Sequence, residues 1–123
     1  MKPSLKSQQV RGVAPEMDPL RMGMGWSADD LEKPQILIES TYGQSHPGSA
    51  HLLALAQSAA AAADAQGCKS ALYFATDICD GMSQGHDGGN YSLVSRDTIA
   101  NLIEIHAKAT TFDAGVFLSS CDK

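Results

Sequence analysis

Three short apolar runs of strand length alternate with two stretches of helical periodicity, and this alternation constrains the chain more than anything else in it. The first run is Gln35-Ile36-Leu37-Ile38-Glu39-Ser40, whose β-branched residues suit a buried strand. Leu72 to Thr76 is the second, and Phe112 to Ser120 the third. Between the first two, Ser49 can cap a helix running from Ala50 to about Gln66 and closed by Gly67. Its alanine-rich face is narrow and would let it lie close to a sheet. Ahead of the third run, Ser95 opens a second helix. Ile99, Leu102, Ile103 and His106 share one face of it, and Glu104 and Lys108 form a favourable i,i+4 pair on another. The order β-α-β-α-β predicts an α/β fold: a parallel sheet with right-handed crossovers and flanking helices.

In such a sheet the loops that follow the strands gather on the carboxyl edge, where open α/β sheets bind ligands. Three segments are expected there: Tyr42 to Gly48, Cys79 to Asp87, and the final Cys121-Asp122-Lys123. The loop after the second strand carries Gly81, Gly85, Gly88 and Gly89, which allow a close backbone approach. Asp80 and Asp122 are carboxylates that suit a hard cation such as Mg²⁺, and each adjoins a cysteine. Cys121 is the better candidate thiolate for an iron–sulfur cluster. Cys79 sits at the edge as a ligand or a packing residue, and Cys68 reads as a small buried side chain. No Cys-x-x-Cys pair supports structural zinc. Lys123 is either a solvated lysine or an amine whose pKa a neighbouring cation lowers. His46, His51 and His86 fall in edge loops or at a helix start, where each can serve as acid, base or substrate ligand, or as a hydrogen-bonded structural residue. His106 reads as core. No phosphate-binding glycine motif and no nucleophile elbow occur.

Residues 1–15 are polar and contain Pro3, Gly12 and Pro15, so an irregular arm is expected, with one α/β unit over residues 16–123. Leu20, Met22, Met24 and Trp26 read as cover for a core edge. Ser27 caps a short turn, Ala28 to Glu32, which Pro34 ends. The net charge of −5 without any basic cluster argues against a nucleic-acid partner. The five alanines from Ala59 to Ala63 are as long an unbroken apolar run as the chain has, too short for a membrane span. The opening residues lack the apolar core of a secretory signal, and three cysteines make an odd count, so a reducing cytoplasm is the expected compartment. The sequon Asn90-Tyr91-Ser92 is read as chance on that basis.

Several segments taken together resemble the dihydroxy-acid and sugar-acid dehydratase family. They are Lys33-Pro34-Gln35-Ile36, His46-Pro47-Gly48-Ser49-Ala50-His51-Leu52, Asp80 to Gly88, Tyr91 to Arg96, and Ser120-Cys121-Asp122-Lys123. The details around His46 and from Phe74 to Gly88 are more similar to the branch that acts on aldonates such as xylonate. The resemblance implies an iron–sulfur (2Fe–2S or 4Fe–4S), Mg²⁺-dependent lyase that removes water from a 2,3-dihydroxy acid to give a 2-keto acid. It implies that Asp80 and Asp122 bind Mg²⁺, that Lys123 is carbamylated and binds the same ion, and that Cys121 holds the cluster. His51 and His86 lie in matching motif loops as catalytic candidates. Gly48 stands where some members carry a cluster cysteine.

The family also implies a further cysteine, a metal-binding glutamate, a serine base and a β-rich domain beyond the position of Lys123. The expectation is therefore an N-terminal segment of an aldonate-type dehydratase, inactive alone and part of a homo-oligomeric parent. The rivals are a non-catalytic module completed by another polypeptide and a flavodoxin-like phosphate binder.

Overall fold

The computed structural model describes residues 4–120. Its centre is a parallel sheet in the order β2-β1-β3, built from β1 (Gln35–Ser40), β2 (Lys69–Phe74) and β3 (Ala114–Leu118). Strand β1 pairs with both neighbours, and its Leu37 and Ile38 are fully buried. Successive side chains of β1 point to opposite faces. On one face Ile36 and Ile38, with Leu118, meet Ala56, Ala59 and Ala60 of α5 (Leu52–Ala65). Alanine has no side chain beyond Cβ, so the helix rests close on the sheet, as its composition predicts. On the other face Glu39 reaches His106 of α6 (Ser92–Ala109). The α/β architecture expected from strand and helix alternation is the one observed.

Element boundaries differ where long-range bonds decide them. β2 begins at Lys69, not Leu72, because the Lys69 N–H donates to the Pro34 carbonyl and starts the pairing early. Ser49 does not cap the first crossover helix, α5, whose N-cap residue is His51 without a side-chain cap bond. The side-chain cap here belongs to the short α4 (Pro47–Ala50) ahead of it: His46 Nδ1 accepts from the Gly48 N–H at 3.1 Å, and Pro47 follows at the first helical position. Ser49 is buried instead and donates its hydroxyl to the Gly43 carbonyl at 3.0 Å. The second crossover helix starts at Ser92, not Ser95, because a 3₁₀ turn over Asp87–Tyr91 leads directly into it. The Glu104–Lys108 pair forms at 3.0 Å, though its exposure leaves it little weight.

The amino-terminal arm is not irregular. Lys6–Arg11 forms helix α1, followed by α2 (Met17–Gly23) and α3 (Ala28–Glu32). Asp113 fastens α1 to the sheet: it accepts from the Ser7 N–H at 2.9 Å, the Ser7 hydroxyl at 2.6 Å and the Gln35 N–H at 2.8 Å. Arg11 makes a two-nitrogen bond to Asp18 and a further one to Glu32. α3 carries the expected Ser27 cap as a reciprocal box with Asp30. Of the apolar cluster Leu20, Met22, Met24 and Trp26, only Trp26 is buried; Leu20 stays 70% exposed and Met24 62%. An amphipathic stripe cannot be read from so short a segment, and α2 turns these side chains outward.

Replacing Asp113 with Ala strands three donors, Ser7 N–H and Gln35 N–H among them. The expected cost is about 1–3 kcal/mol. Urea unfolding measures it, and hydrogen exchange over residues 6–11 should rise more than exchange over β1.

Candidate functional site

Ser40 of β1 stands opposite Phe74 of β2 and Leu118 of β3, so the three strands finish level. The pairing extends one step further: the Thr41 N–H donates to the Leu118 carbonyl, and the Ala75 N–H donates to the Ser40 carbonyl. The chain therefore leaves all three strands at one edge, as the parallel topology requires.

Asp77, two residues past this step on β2, is the hub of that edge. It is 3% exposed. Its Oδ1 accepts from the Ser45 hydroxyl at 2.8 Å, and its Oδ2 accepts from the Ser120 hydroxyl. Because His46 Nδ1 accepts from Gly48, the ring proton belongs on Nε2, which lies 3.4 Å from Asp77 Oδ2. One carboxylate thus ties the loop after β1, the loop after β2 and the residue beyond β3. Burial raises the Asp77 pKa, but the hydrogen bonds from Ser120, Ser45, His46 and Ser49 outweigh it, and the carboxyl ends below its ordinary value. Sequence reading missed this role, since a lone aspartate opening a glycine-rich loop carries no pattern. The signal available was the set of hydroxyls at the other two loops, Ser45, Ser49 and Ser120.

Asp80 follows in the turn after β2, half-buried, and its carbonyl accepts from the Ser83 hydroxyl at 3.0 Å. Cys121, Asp122 and Lys123 lie outside the described residues. Cys79 and His86 line a cleft of about 460 Å³ beside Ser45, Met82 and Tyr91. Cys68 is half-buried and immediately precedes β2, at the opposite edge from Cys79. At about 3.3 Å per residue, the strand between them separates the two by roughly 20 Å.

The histidines divide by their bonding. His86 repeats the His46 arrangement: Nδ1 accepts from the Gly88 N–H at 3.0 Å, and Nε2 donates to the Met82 carbonyl at 3.0 Å. A Cβ at position 88 would meet the His86 ring, so a side chain there would displace the ring from this arrangement. Both nitrogens of His86 are thus committed to the backbone. His51 is exposed, and its Nδ1–H donates to the Pro47 carbonyl at 3.1 Å. His106 is no simple core residue. Its Nδ1 lies 3.0 Å from both oxygens of buried Glu39, whose pKa burial raises against the pull of His106.

The donor chemistry at this edge fits one of the two implied groups. Mg²⁺ takes oxygen ligands, and Asp80 offers them beside a buried carboxylate network. Among the described residues, however, no group of three or more His, Cys, Asp or Glu comes together to hold a metal. A cluster needs three or four thiolates. The described residues bring only Cys79 to this edge, so they do not fit a cluster by themselves.

Comparison with known proteins adds a family. A sequence model described as dihydroxy-acid/6-phosphogluconate dehydratase, N-terminal, matches residues 33–123. The dihydroxy-acid dehydratase of Methanococcus aeolicus is 39% identical over 99 residues, which cover 80% of this chain and 18% of that protein. That of Chromohalobacter salexigens is 37% identical over 100 residues, covering 81% and 18%. Dihydroxy-acid dehydratase 2 of Pseudoalteromonas translucida is 34% identical over 125 residues, covering 99% and 22%. The chain thus spans about a fifth of the length of these relatives.

Asp77 has a lower pKa folded than unfolded, so its stabilisation is complete above about pH 5 and fades as pH falls through the ordinary carboxylate range. Asp77→Asn should therefore cost about 2–3 kcal/mol at neutral pH, and its unfolding curve should converge with that of the unaltered chain in acid. Urea titrations across pH test both points.

Proposed function

Because the chain belongs to the dihydroxy-acid/6-phosphogluconate dehydratase family, matched to its N-terminal region, we propose that residues 16–123 form the N-terminal α/β portion of a hydro-lyase. Its reaction removes water from an aldonate to give a 2-keto-3-deoxy sugar acid. The observation that carries this reading is the bond from Ser120 to Asp77. Asp80 follows Asp77 by three residues, and Asp122 follows Ser120 by two. With about 3.8 Å between consecutive Cα atoms, chain connectivity keeps the Asp80 Cα within roughly 11 Å of the Asp77 Cα. In this reading Asp80, Asp122 and carbamylated Lys123 hold Mg²⁺, and Cys121 is one ligand of an iron–sulfur cluster. When bound, Mg²⁺ supplies a positive charge that orients the substrate carboxylate and 2-hydroxyl and stabilises charge developing as Cα loses its proton.

The remaining residues act on position and protons. Asp77 fixes the three loops. His51 is the better proton carrier of the two catalytic candidates, because Pro47 engages its Nδ1 and its ring lies at the surface, whereas both nitrogens of His86 are held by the backbone. His86 holds its own loop. The choice of an aldonate over a branched dihydroxy acid rests on the sequence details around His46 and from Phe74 to Gly88. The parent is proposed to be a cytoplasmic homo-oligomer. Among the described residues no helix is long and apolar enough to cross a membrane.

A second reading keeps the fold and drops the catalysis: a non-catalytic module completed by another polypeptide. The exposed apolar side chains of the outer strands favour it, with Phe117 of β3 55% exposed and Leu72 of β2 40%. Unpaired edges of this kind recruit other chains.

The two readings separate when the chain is coexpressed with the remainder of a dihydroxy-acid dehydratase and assayed for 2-keto acid from xylonate and from a branched 2,3-dihydroxy acid. The catalytic reading expects no turnover from the chain alone and turnover of xylonate by the pair. It also expects a loss of about two orders of magnitude or more in kcat/KM on Asp80→Asn, with association unchanged. Association without turnover supports the module, and preference for the branched acid removes the aldonate assignment.

A further inference from the structure

A second pocket, of about 440 Å³, lies away from Asp77 and serves no role in the proposed reaction. Its apolar wall comes from Val10, Met17, Leu20 and Met24, and its polar end from Arg21, Tyr73 and Thr110. It belongs to the amino-edge side of the sheet: Thr110 and Thr111 precede β3, and Lys69, which opens β2, lies over the same Trp26 ring that Arg21 covers. Arg21 is 6% exposed, and its Nη2 has no hydrogen-bond partner.

An arginine in this state is out of balance. Its guanidinium stacks 4.4 Å from the Trp26 ring and 5.2 Å from that of Phe112. Stacking satisfies the flat face of the cation, and Tyr73 takes a side-chain hydrogen bond from its rim, but Nη2 is left without a partner. A guanidinium normally meets a carboxylate or phosphate with that rim. No carboxylate approaches Arg21 within ion-pair distance among the described residues, although Arg11, Lys33 and Lys69 all have one. Tyr73 donates its hydroxyl to Thr110 Oγ1 at 3.4 Å, which leaves the Thr110 O–H to donate in its turn. One guanidinium edge and one hydroxyl are donors enough for a single negative charge and too few for a phosphate dianion.

We propose that this pocket binds a monocarboxylate with a short apolar tail. The carboxylate meets Arg21 Nη2 and the Thr110 hydroxyl, and the tail lies along Val10, Met17, Leu20 and Met24. Nη2 is shielded from solvent in the free chain. In the proposal Leu20 and Met24, which line the pocket and are 70% and 62% exposed, shift to admit the ligand. The same chemistry could come from an acidic side chain of a second copy of this chain, and the test separates the two sources.

Trp26 is the only tryptophan in the sequence and lies under Arg21, so its emission reports on the site. The chain is titrated with hexanoate, with hexanol as the uncharged control and acetate as the tailless one. The expected result is a saturable change with hexanoate, much weaker with either control. Arg21→Met should weaken hexanoate binding by at least about tenfold. Leu20→Glu, at an exposed position that leaves folding intact, should weaken it several-fold by setting a like charge at the mouth. Equal response to hexanoate and hexanol, unchanged affinity in both variants, or no saturation at millimolar ligand overturns the proposal. A Trp26 signal that follows protein concentration instead, with self-association that Arg21→Met abolishes, assigns the cation to a second copy and overturns the small-molecule site.

Discussion

The level finish of the three strands is the constraint on which everything at the carboxyl edge depends. Ser40 faces Phe74 on one side and Leu118 on the other, so three chain segments leave the sheet within one plane. A slip of one residue in either pairing would turn the side chains of that strand to the opposite face. Ile38 and Leu118 would lose the alanine face of α5. The register that builds the core is thus the register that aligns the loops, and Asp77 can bridge them only because of it. Packing fixes the geometry first, and the polar network is laid over it.

The two buried carboxylates of the sheet show what that network does. Glu39 has one principal partner, His106, and burial dominates, so its pKa rises. Asp77 is as well hidden, but donors from three directions offset the burial and its pKa falls. The difference is the number of hydrogen bonds delivered to the charged form. Asp77 therefore stays ionised at the edge, where negative charge suits a cation, whereas Glu39 sits within the sheet as half of a structural pair. α6 reaches the sheet through that pair while Leu102 and Ile105 stay exposed, so this face is covered far less completely than the α5 face.

What was legible in the sequence follows the same division. The succession of strands and crossover helices came from local periodicity, which needs only neighbouring residues, and the parallel sense from the crossover rule, whereas the order β2-β1-β3 was not read. Ser27 and Glu104–Lys108 were legible for the same reason. The missed features all depend on residues far apart in the chain. Helix α1 exists because Ser7 meets Asp113, and β2 starts early because Lys69 finds Pro34. Ser49 does not cap the crossover helix, because its hydroxyl goes to the Gly43 carbonyl across the loop, and His46 caps a short helix α4 that precedes it. The site split likewise. Motif resemblance marked Asp80, His51 and His86, but Asp77 has no motif and emerged only when three loops were brought together.

That Asp77 precedes the proposed metal ligand Asp80 by only three residues raises the question of why it is not one itself. Its Oδ1 is taken by Ser45, and its Oδ2 is shared by Ser120 and His46. A divalent ion at Asp77 would have to displace at least one of these donors, and with it a hydrogen bond that holds the half-buried Ser45 or Ser120 or the buried His46 to this edge. Ser45 and Ser120 stand on different loops, so the same displacement would also release the edge it was meant to organise. The proposed reading therefore gives the cation to Asp80, in the following turn, and leaves Asp77 to hold the loops.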